Sequence, residues 1–159
     1  MFALDSKKID IRRDEITVQA LLNRLEKHLD EPHYELERCW DDKHMSQFIE
    51  SIIVQIPIMP IWIRIDGNND FTIVDGVKRI KALQQFISDG WRLSDLEYVT
   101  DLENKSYAEL PRSIQRRILE TKVQIYYICP GTGIQEAVNI SNRIRKDRLN
   151  HGKTLHFTV

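Results

Sequence analysis

The spacing of apolar residues changes along the chain, and it predicts where helices and strands follow one another. Apolar residues three or four apart predict five helices: Glu15–Asp30, one capped by Asp41 or Asp42 and ending before Pro57, Val77–Ser88, Ser113–Glu120 and Ile134–Lys146. Alternating or continuous short apolar runs predict strands at Ile58–Ile65, Phe71–Val74 and Lys122–Ile128. The turn sequence Asp-Gly-Asn-Asn-Asp joins the first two strands as a hairpin. Elements mixed in this order predict an α+β fold rather than a regular βαβ repeat.

Composition narrows the class of protein. The chain has 159 residues, of which 42% are hydrophobic and 30% charged, as expected for one globular domain. Its net charge of -1 gives no general attraction to nucleic acid, so any polyanion site must be a local patch. Cys39 and Cys129 form no disulfide framework and predict reduced thiols in a cytoplasmic protein. Prolines and an arginine interrupt the longest apolar run, so no membrane span is expected.

The junction between the second strand and the third helix carries the most specific local chemistry. The chain passes through Asp75-Gly76 into a helix that has Lys78, Arg79 and Lys81 near its start, where the helix dipole disfavours cations. In one interpretation, Gly76 permits a positive φ or a close approach, and Lys78 or Arg79 neutralises a phosphate bound by backbone N–H groups. In the other, Asp75 caps the helix and the cations are solvated. Without a Walker or dinucleotide pattern, spacing alone favours the second.

Two other groups of basic residues have a functional and a structural interpretation. Arg38 lies two residues before Trp40 and could be a second anion contact, or Trp40 could anchor the core with Arg38 at the surface. The predicted fourth helix and the C-terminal segment 143–153 could neutralise nucleic-acid phosphates or form solvated faces. The arginines of the fourth helix region are Arg112, Arg116 and Arg117.

A metal site is not predicted. The five histidines have no zinc-binding spacing. Asp41 and Asp42 stand where a helix begins, and helix capping explains them better than metal ligation.

Taken together, these segments resemble the DUF262 family, the ParB/sulfiredoxin-like domains in the N-terminal part of GmrSD-type modification-dependent restriction proteins. The resemblance rests on Arg-x-Trp-Asp-Asp, SQFIESIIVQIPIMPIWI, FTIVDGVKRIKALQQF, the segment from LEYVTDLENKS to YYICPGT, and NISNRI. It covers about residues 35–144 and implies a mixed sheet with flanking helices. We therefore expect a single ParB-like domain over 1–159, with an N-terminal helix and lead-in at 1–34, the family-like core at 35–144 and a divergent basic tail at 145–159.

The resemblance also implies a nucleotide site. Asp75, Gly76 and Arg79 match the family's Asp-Gly-x-x-Arg motif, which is tied to nucleotide binding and hydrolysis. Lys78 stands where the family usually has Gln. On this basis Asp75 and Arg79 are the candidate catalytic residues, and the ligand is a nucleoside triphosphate with Mg²⁺. Gly76, Lys78 and Arg79 are candidate nucleotide-binding residues.

Two further family motifs supply candidate nucleotide contacts. Arg38 matches the Arg of a Gln-Arg motif, with Glu37 in place of the Gln. Arg143 matches the Arg of Phe-x-Arg-Ile-Asn-Thr-Gly-Gly, but Arg-Lys-Asp-Arg at 145–148 replaces Asn-Thr-Gly-Gly. These departures predict a domain that keeps the fold and the ligand pocket while nucleotide hydrolysis is weak or lost.

The alternatives are a non-catalytic regulatory or interaction subunit, or a DNA-binding module, of a restriction or phage-defence system. The implied partners are a nucleotide, DNA or a nuclease protein. A homodimer would follow if an apolar groove were left where the family's further helices pack.

Overall fold

Five α-helices and four β-strands make up the computed structural model, which describes residues 9–25 and 40–151 without the side chains of 145 and 147–151. The elements are β1 (Ile11–Thr17), α1 (Val18–Leu25), α2 (Asp42–Ile53), β2 (Ile61–Ile65), β3 (Phe71–Asp75), α3 (Val77–Ser88), α4 (Arg112–Glu120), β4 (Lys122–Ile128) and α5 (Ile134–His151). Short 3₁₀ turns at Thr100–Leu102 and Tyr107–Glu109 lie between α3 and α4. The predicted α+β class is confirmed, whereas the ParB/sulfiredoxin-like topology stays a prediction.

The four strands form one mixed sheet in the order β1-β4-β2-β3. The hairpin β2–β3 is antiparallel, and β2 and β4 are parallel. Arg64 pairs with Thr72 on one side and Ile128 on the other. An irregularity after Trp62 shifts the register, so that Trp62 lies opposite Asp75.

The chain divides into two compact units, and the first contains β2, β3 and α5. An apolar cluster of Val74, Ile128 and Ala137 lies within it, with Trp62, Ile140 and Ile144 packed against the cluster. Helix α5 thereby covers an apolar part of this unit. The described parts of the unit are 9–14, 61–75 and 125–151.

The second unit contains the four helices α1 to α4. Helix α2 packs against α3 and α4, and α1 packs against α4. Their inward faces are fully buried, as the helical spacing of the apolar residues predicted. The described parts of the unit are 15–25, 40–60 and 76–124, and its buried residues include Leu21, Ile49, Ile52, Ile80, Leu83 and Phe86.

The start of the chain differs from the prediction. Residues Glu15 to Thr17, predicted as the start of the first helix, complete β1 instead, and the helix begins at Val18. Strand β1 is at the edge of the sheet and has five exposed residues in succession, so it lacks the apolar alternation that marks a strand. The predicted continuation to Asp30 falls on 26–30, which lie outside the described residues.

The remaining elements form where they were predicted, although β2 begins at Ile61 rather than Ile58 and α4 at Arg112 rather than Ser113. Helix α3 has both predicted bounds, and α2 begins at Asp42 behind its N-cap Asp41. Helix α5 begins as predicted and continues past Lys146 to His151. Among the described residues, no helix is both long and apolar enough to cross a membrane.

Candidate functional site

Gly76 forms the start of α3 in a conformation that few other residues adopt. It is the N-cap, with φ 111° and ψ 4°, and no side-chain hydrogen bond caps this end of the helix. The first turn also contains no acidic residue. The main chain continues normally, since the Ile80 N–H donates to the Gly76 carbonyl oxygen over 3.0 Å. The first of the two roles expected for Gly76, a positive φ, is therefore observed.

Asp75 belongs to the strand rather than to the helix. It is the last residue of β3, lies opposite Trp62 and is buried. The N-cap position is occupied by Gly76. The interpretation in which Asp75 is the N-cap of α3 is therefore wrong, because strand pairing extends one residue further than the sequence predicted.

Arg79 is buried and points its guanidinium at main-chain oxygens. Only 9% of the residue's surface is exposed to solvent. The Nη1 group donates to the carbonyl oxygens of Met59 and, at 3.1 Å, of Pro60. A buried cation needs such acceptors, because its desolvation is otherwise uncompensated. Arg79 therefore fixes the segment before β2 against the start of α3, and the interpretation of Arg79 as a solvated cation is wrong.

Lys78 is the cation of this turn that is left for a ligand. It is half-buried and occupies the second position of α3. Within the part of the chain that the structure describes, its ammonium group makes no hydrogen bond or ion pair. Gly76, Lys78 and Arg79 thus come together in one helical turn.

The other predicted contacts are not placed in this turn. Arg143 is exposed on α5 and belongs to the first compact unit. Arg38 lies outside the described residues. No group of three or more His, Cys, Asp or Glu suited to a metal ion occurs among the residues described.

The basic helix α4 has partners of its own. The Arg117 Nη1 group donates to the Ile53 carbonyl oxygen over 3.1 Å. The Arg116 Nη2 group lies 3.2 Å from the Glu120 carboxylate, and both side chains are exposed. Both arginines line an open cavity of about 450 Å³ beside the end of α2. Arg117 is thus held by a main-chain acceptor and Arg116 pairs with a carboxylate of its own helix, and DNA binding at α4 stays a prediction.

Glu50, a buried carboxylate in α2, was not among the residues predicted from the sequence. Its Oε1 atom accepts hydrogen bonds from the N–H groups of Glu97, Tyr98 and Val99 over 3.0, 2.5 and 3.0 Å. The carboxylate thereby organises the loop at 97–99. The available signal was an acidic residue between Ile49 and Ile52 in the apolar stripe of α2.

Comparison with known proteins identifies the family. The family model for the N-terminal domain of the GmrSD restriction endonuclease matches residues 18–152, which include α2, the hairpin and the Gly76 turn. No curated protein and no solved structure gives a significant match. The match spans most of the chain and confirms the resemblance found in its motifs. The chain therefore belongs to the family of GmrSD restriction endonuclease N-terminal domains.

Proposed function

We propose that this member of a restriction-protein family binds the phosphate groups of a nucleotide at the start of α3. The observation that carries the proposal is Gly76, which begins the helix with a positive φ and without a side-chain cap. Helix N-termini of this kind suit phosphate because their N–H groups and the helix dipole both favour an anion.

The residues of the turn have different roles in this proposal. Lys78 supplies the positive charge beside the phosphate. Arg79 keeps its main-chain acceptors and holds the turn in place. Asp75, the residue bonded to Gly76, is the candidate contact for Mg²⁺. Arg38 and Arg143 remain further candidate contacts by resemblance to the family motifs.

Weak or absent turnover accompanies binding in this proposal. Lys78 replaces the Gln expected from the family motif, and 145–148 replace Asn-Thr-Gly-Gly. The anion is thus held by charge, while groups that the family's hydrolytic members carry are missing. The alternative function, a regulatory or interaction subunit, predicts that no nucleotide binds.

Isothermal titration with each of the four nucleoside triphosphates and Mg²⁺ tests the proposal. We expect at least one to bind, and Lys78→Glu to weaken its affinity by about tenfold or more, since a charge-assisted contact is replaced by repulsion. The matched control is Lys43→Glu, because Lys43 is exposed at the second position of α2.

Trp91 follows the end of α3 and donates from Nε1 to the Asp42 Oδ1 atom over 3.3 Å. Lys43 therefore lies near the opposite end of α3, and Lys43→Glu should leave affinity unchanged. Absence of heat with all four nucleotides, or equal loss in both variants, would contradict the proposal. Lys78→Gln restores the expected family residue but removes the positive charge, so it should weaken binding, though less than Lys78→Glu does. Phosphate release by this variant then shows whether the position limits hydrolysis.

A further inference from the structure

A cavity of about 320 Å³ lies in the first compact unit, and no residue of the Gly76 turn lines it. It is at the carboxyl ends of the parallel strands β2 and β4, where the chain leaves the sheet at Ile65 and Ile128. This edge of a parallel strand pair is a common place for small ligands. Its volume is at the lower end of the range for ligand pockets, so its occupant would be small.

The walls of the cavity are mainly apolar. Ile65, Pro130 and Ala137 line it, and Ile134 stands at its edge with 85% of its surface exposed. Ile134 is the first residue of α5. The exposed Ile134 side chain extends the apolar surface that a ligand in the cavity could cover.

Arg64 brings a positive charge into these apolar walls. Its backbone is held between Thr72 of β3 and Ile128 of β4, which fixes the root of its side chain in the middle of the sheet. The residue is half-buried, and in the described ranges 9–25 and 40–151 its guanidinium makes no hydrogen bond or ion pair. No buried side-chain nitrogen among the described residues lacks a partner, so the guanidinium of Arg64 is accessible to solvent and can meet an anion that enters the cavity.

The other polar groups of the cavity are already engaged. The Asp66 Oδ1 atom accepts from the N–H groups of Asn68 and Asp70 within the hairpin turn. The Thr132 hydroxyl accepts from the Asp10 N–H and donates to the Asp10 carbonyl oxygen. The Cys129 thiol makes a long contact of 3.8 Å with the Tyr127 carbonyl oxygen. The Asp66 carboxylate keeps its negative charge but is held by the N–H groups of the hairpin turn, so Arg64 is the cation of the lining on which an anion would bind.

The start of α5 is not the anion site here. An added Cβ on Gly133 would collide with the Glu136 carboxylate, so that side chain folds back over the first turn of the helix. A negative group already occupies the position where the dipole of α5 would attract one.

We infer that this cavity binds a small organic anion, with its carboxylate or phosphate on Arg64 and its apolar body against Pro130, Ile134 and Ala137. The guanidinium fits either head group with two parallel hydrogen bonds. The apolar walls favour an organic body over an inorganic ion. The cavity shares no lining residue with the phosphate turn proposed above, and the inference about its ligand does not depend on nucleotide binding.

Saturation-transfer NMR on the full chain tests the inference with benzoate, phenyl phosphate and inorganic phosphate as probes. We expect the two aromatic anions to receive saturation and inorganic phosphate to displace them poorly. Arg64→Met should weaken their binding by about tenfold or more, because the charge-assisted hydrogen bonds are lost. Arg116→Met is the control, since that arginine is exposed on α4. Binding of only one aromatic probe supports the site and identifies the preferred head group.

Alkylation of Cys129 by iodoacetamide gives a second measurement, made in a Cys39→Ser background. Benzoate should slow alkylation with Arg64 present and have no effect in Arg64→Met. If Arg64→Met does not fold, Arg64→Lys keeps the charge but loses the paired hydrogen bonds, and should bind more weakly than the parent. Three results would overturn the inference: no binding of either aromatic anion, unchanged binding in the Arg64 variants, or equally effective displacement by inorganic phosphate.

Discussion

Helices α2 and α3 are the same length and carry a lysine at the same position, yet their first turns have opposite chemistry. Each has 12 residues, with Lys43 or Lys78 in second place. At the start of α2, the Asp41 Oδ1 atom accepts from the His44 N–H over 2.8 Å. At the start of α3, Gly76 offers no such acceptor. The N-cap residue, and not the cation, therefore decides whether a side chain of the protein caps the start of the helix.

The largest difference between the two starts is expected at their third positions, His44 and Arg79. Arg79→Met should lower the free energy of unfolding by roughly 2–3 kcal/mol, because two carbonyl oxygens lose a charged donor in a buried place. His44→Met removes an exposed side chain and should change stability far less. Urea denaturation of both variants measures the difference. Equal losses would show that the Arg79 contacts do not hold the segment before β2.

The next largest effect is expected from the backbone of Gly76. Gly76→Ala should cost about 1–2 kcal/mol of unfolding free energy, because a Cβ is disfavoured at positive φ. Thermal and urea unfolding measure the loss. Titration of Gly76→Ala with the nucleotide shows whether the altered turn still binds it. A Gly76→Ala protein as stable as the parent would mean that the chain adopts another conformation at the start of α3.

After the C-terminal end of each helix stands a residue with positive φ, so a glycine can be introduced at one end and removed from the other. Gln55 after α2 has φ 65°, and Gly90 after α3 has φ 68°. The Ile56 N–H donates to the Ser51 carbonyl oxygen, which closes α2 in a Schellman arrangement with Gln55 at the left-handed position. Gln55→Gly should therefore gain up to about 1 kcal/mol in unfolding free energy, whereas Gly90→Ala should lose a similar amount. Unfolding midpoints that move in the same direction would contradict this pairing.

The smallest effect is expected from pH at the start of α2. The hydrogen bond from the His44 N–H lowers the pKa of Asp41 below 3.8. Its stabilising effect is therefore complete above pH 3.8 and fades as the pH falls below that value. Asp41→Asn keeps an acceptor without titrating, so the stability difference between parent and variant should shrink in acid.

Other carboxylates also titrate in acid, so the effect of Asp41 is measured as the difference in unfolding free energy between the parent and Asp41→Asn. The Ser106 N–H and then the Arg92 guanidinium lower the pKa of Glu109 from 4.5 to about 2. That shift is common to the parent and to Asp41→Asn, and it cancels between them. A difference in stability that stays constant from pH 6 to pH 3 would rule out the cap's titration.

Both bounds of α3 could be predicted from local sequence signals. Its apolar stripe has helical spacing, and Gly76 and Gly90 stand at the two ends where left-handed residues are needed. Strand β1 could not be predicted from such signals, because this exposed edge strand is held by its pairing with β4 and carries charged residues on both faces. Pairing with a strand more than a hundred residues away leaves no local signal.

In the candidate site, too, some features could be predicted from local sequence signals and others could not. The positive φ of Gly76 follows from residue type, and the Asp-Gly-x-x-Arg pattern indicated the turn. The partners of Arg79 and Glu50 could not be predicted, because they are main-chain groups of Met59, Pro60 and the loop at 97–99. Every residue except proline offers the same N–H, and every residue the same carbonyl, so the sequence does not mark which of them a buried side chain will meet.

Glu50 has a consequence for motion in the second compact unit. Three successive amide hydrogens of the 97–99 loop point at one buried carboxylate, so opening the loop would leave a negative charge without donors. Amide hydrogens in a segment without helix or strand usually exchange quickly with solvent, but these three should exchange slowly. The loop therefore loses its conformational entropy when the chain folds, and the exposed Tyr98 ring is displayed from a rigid support.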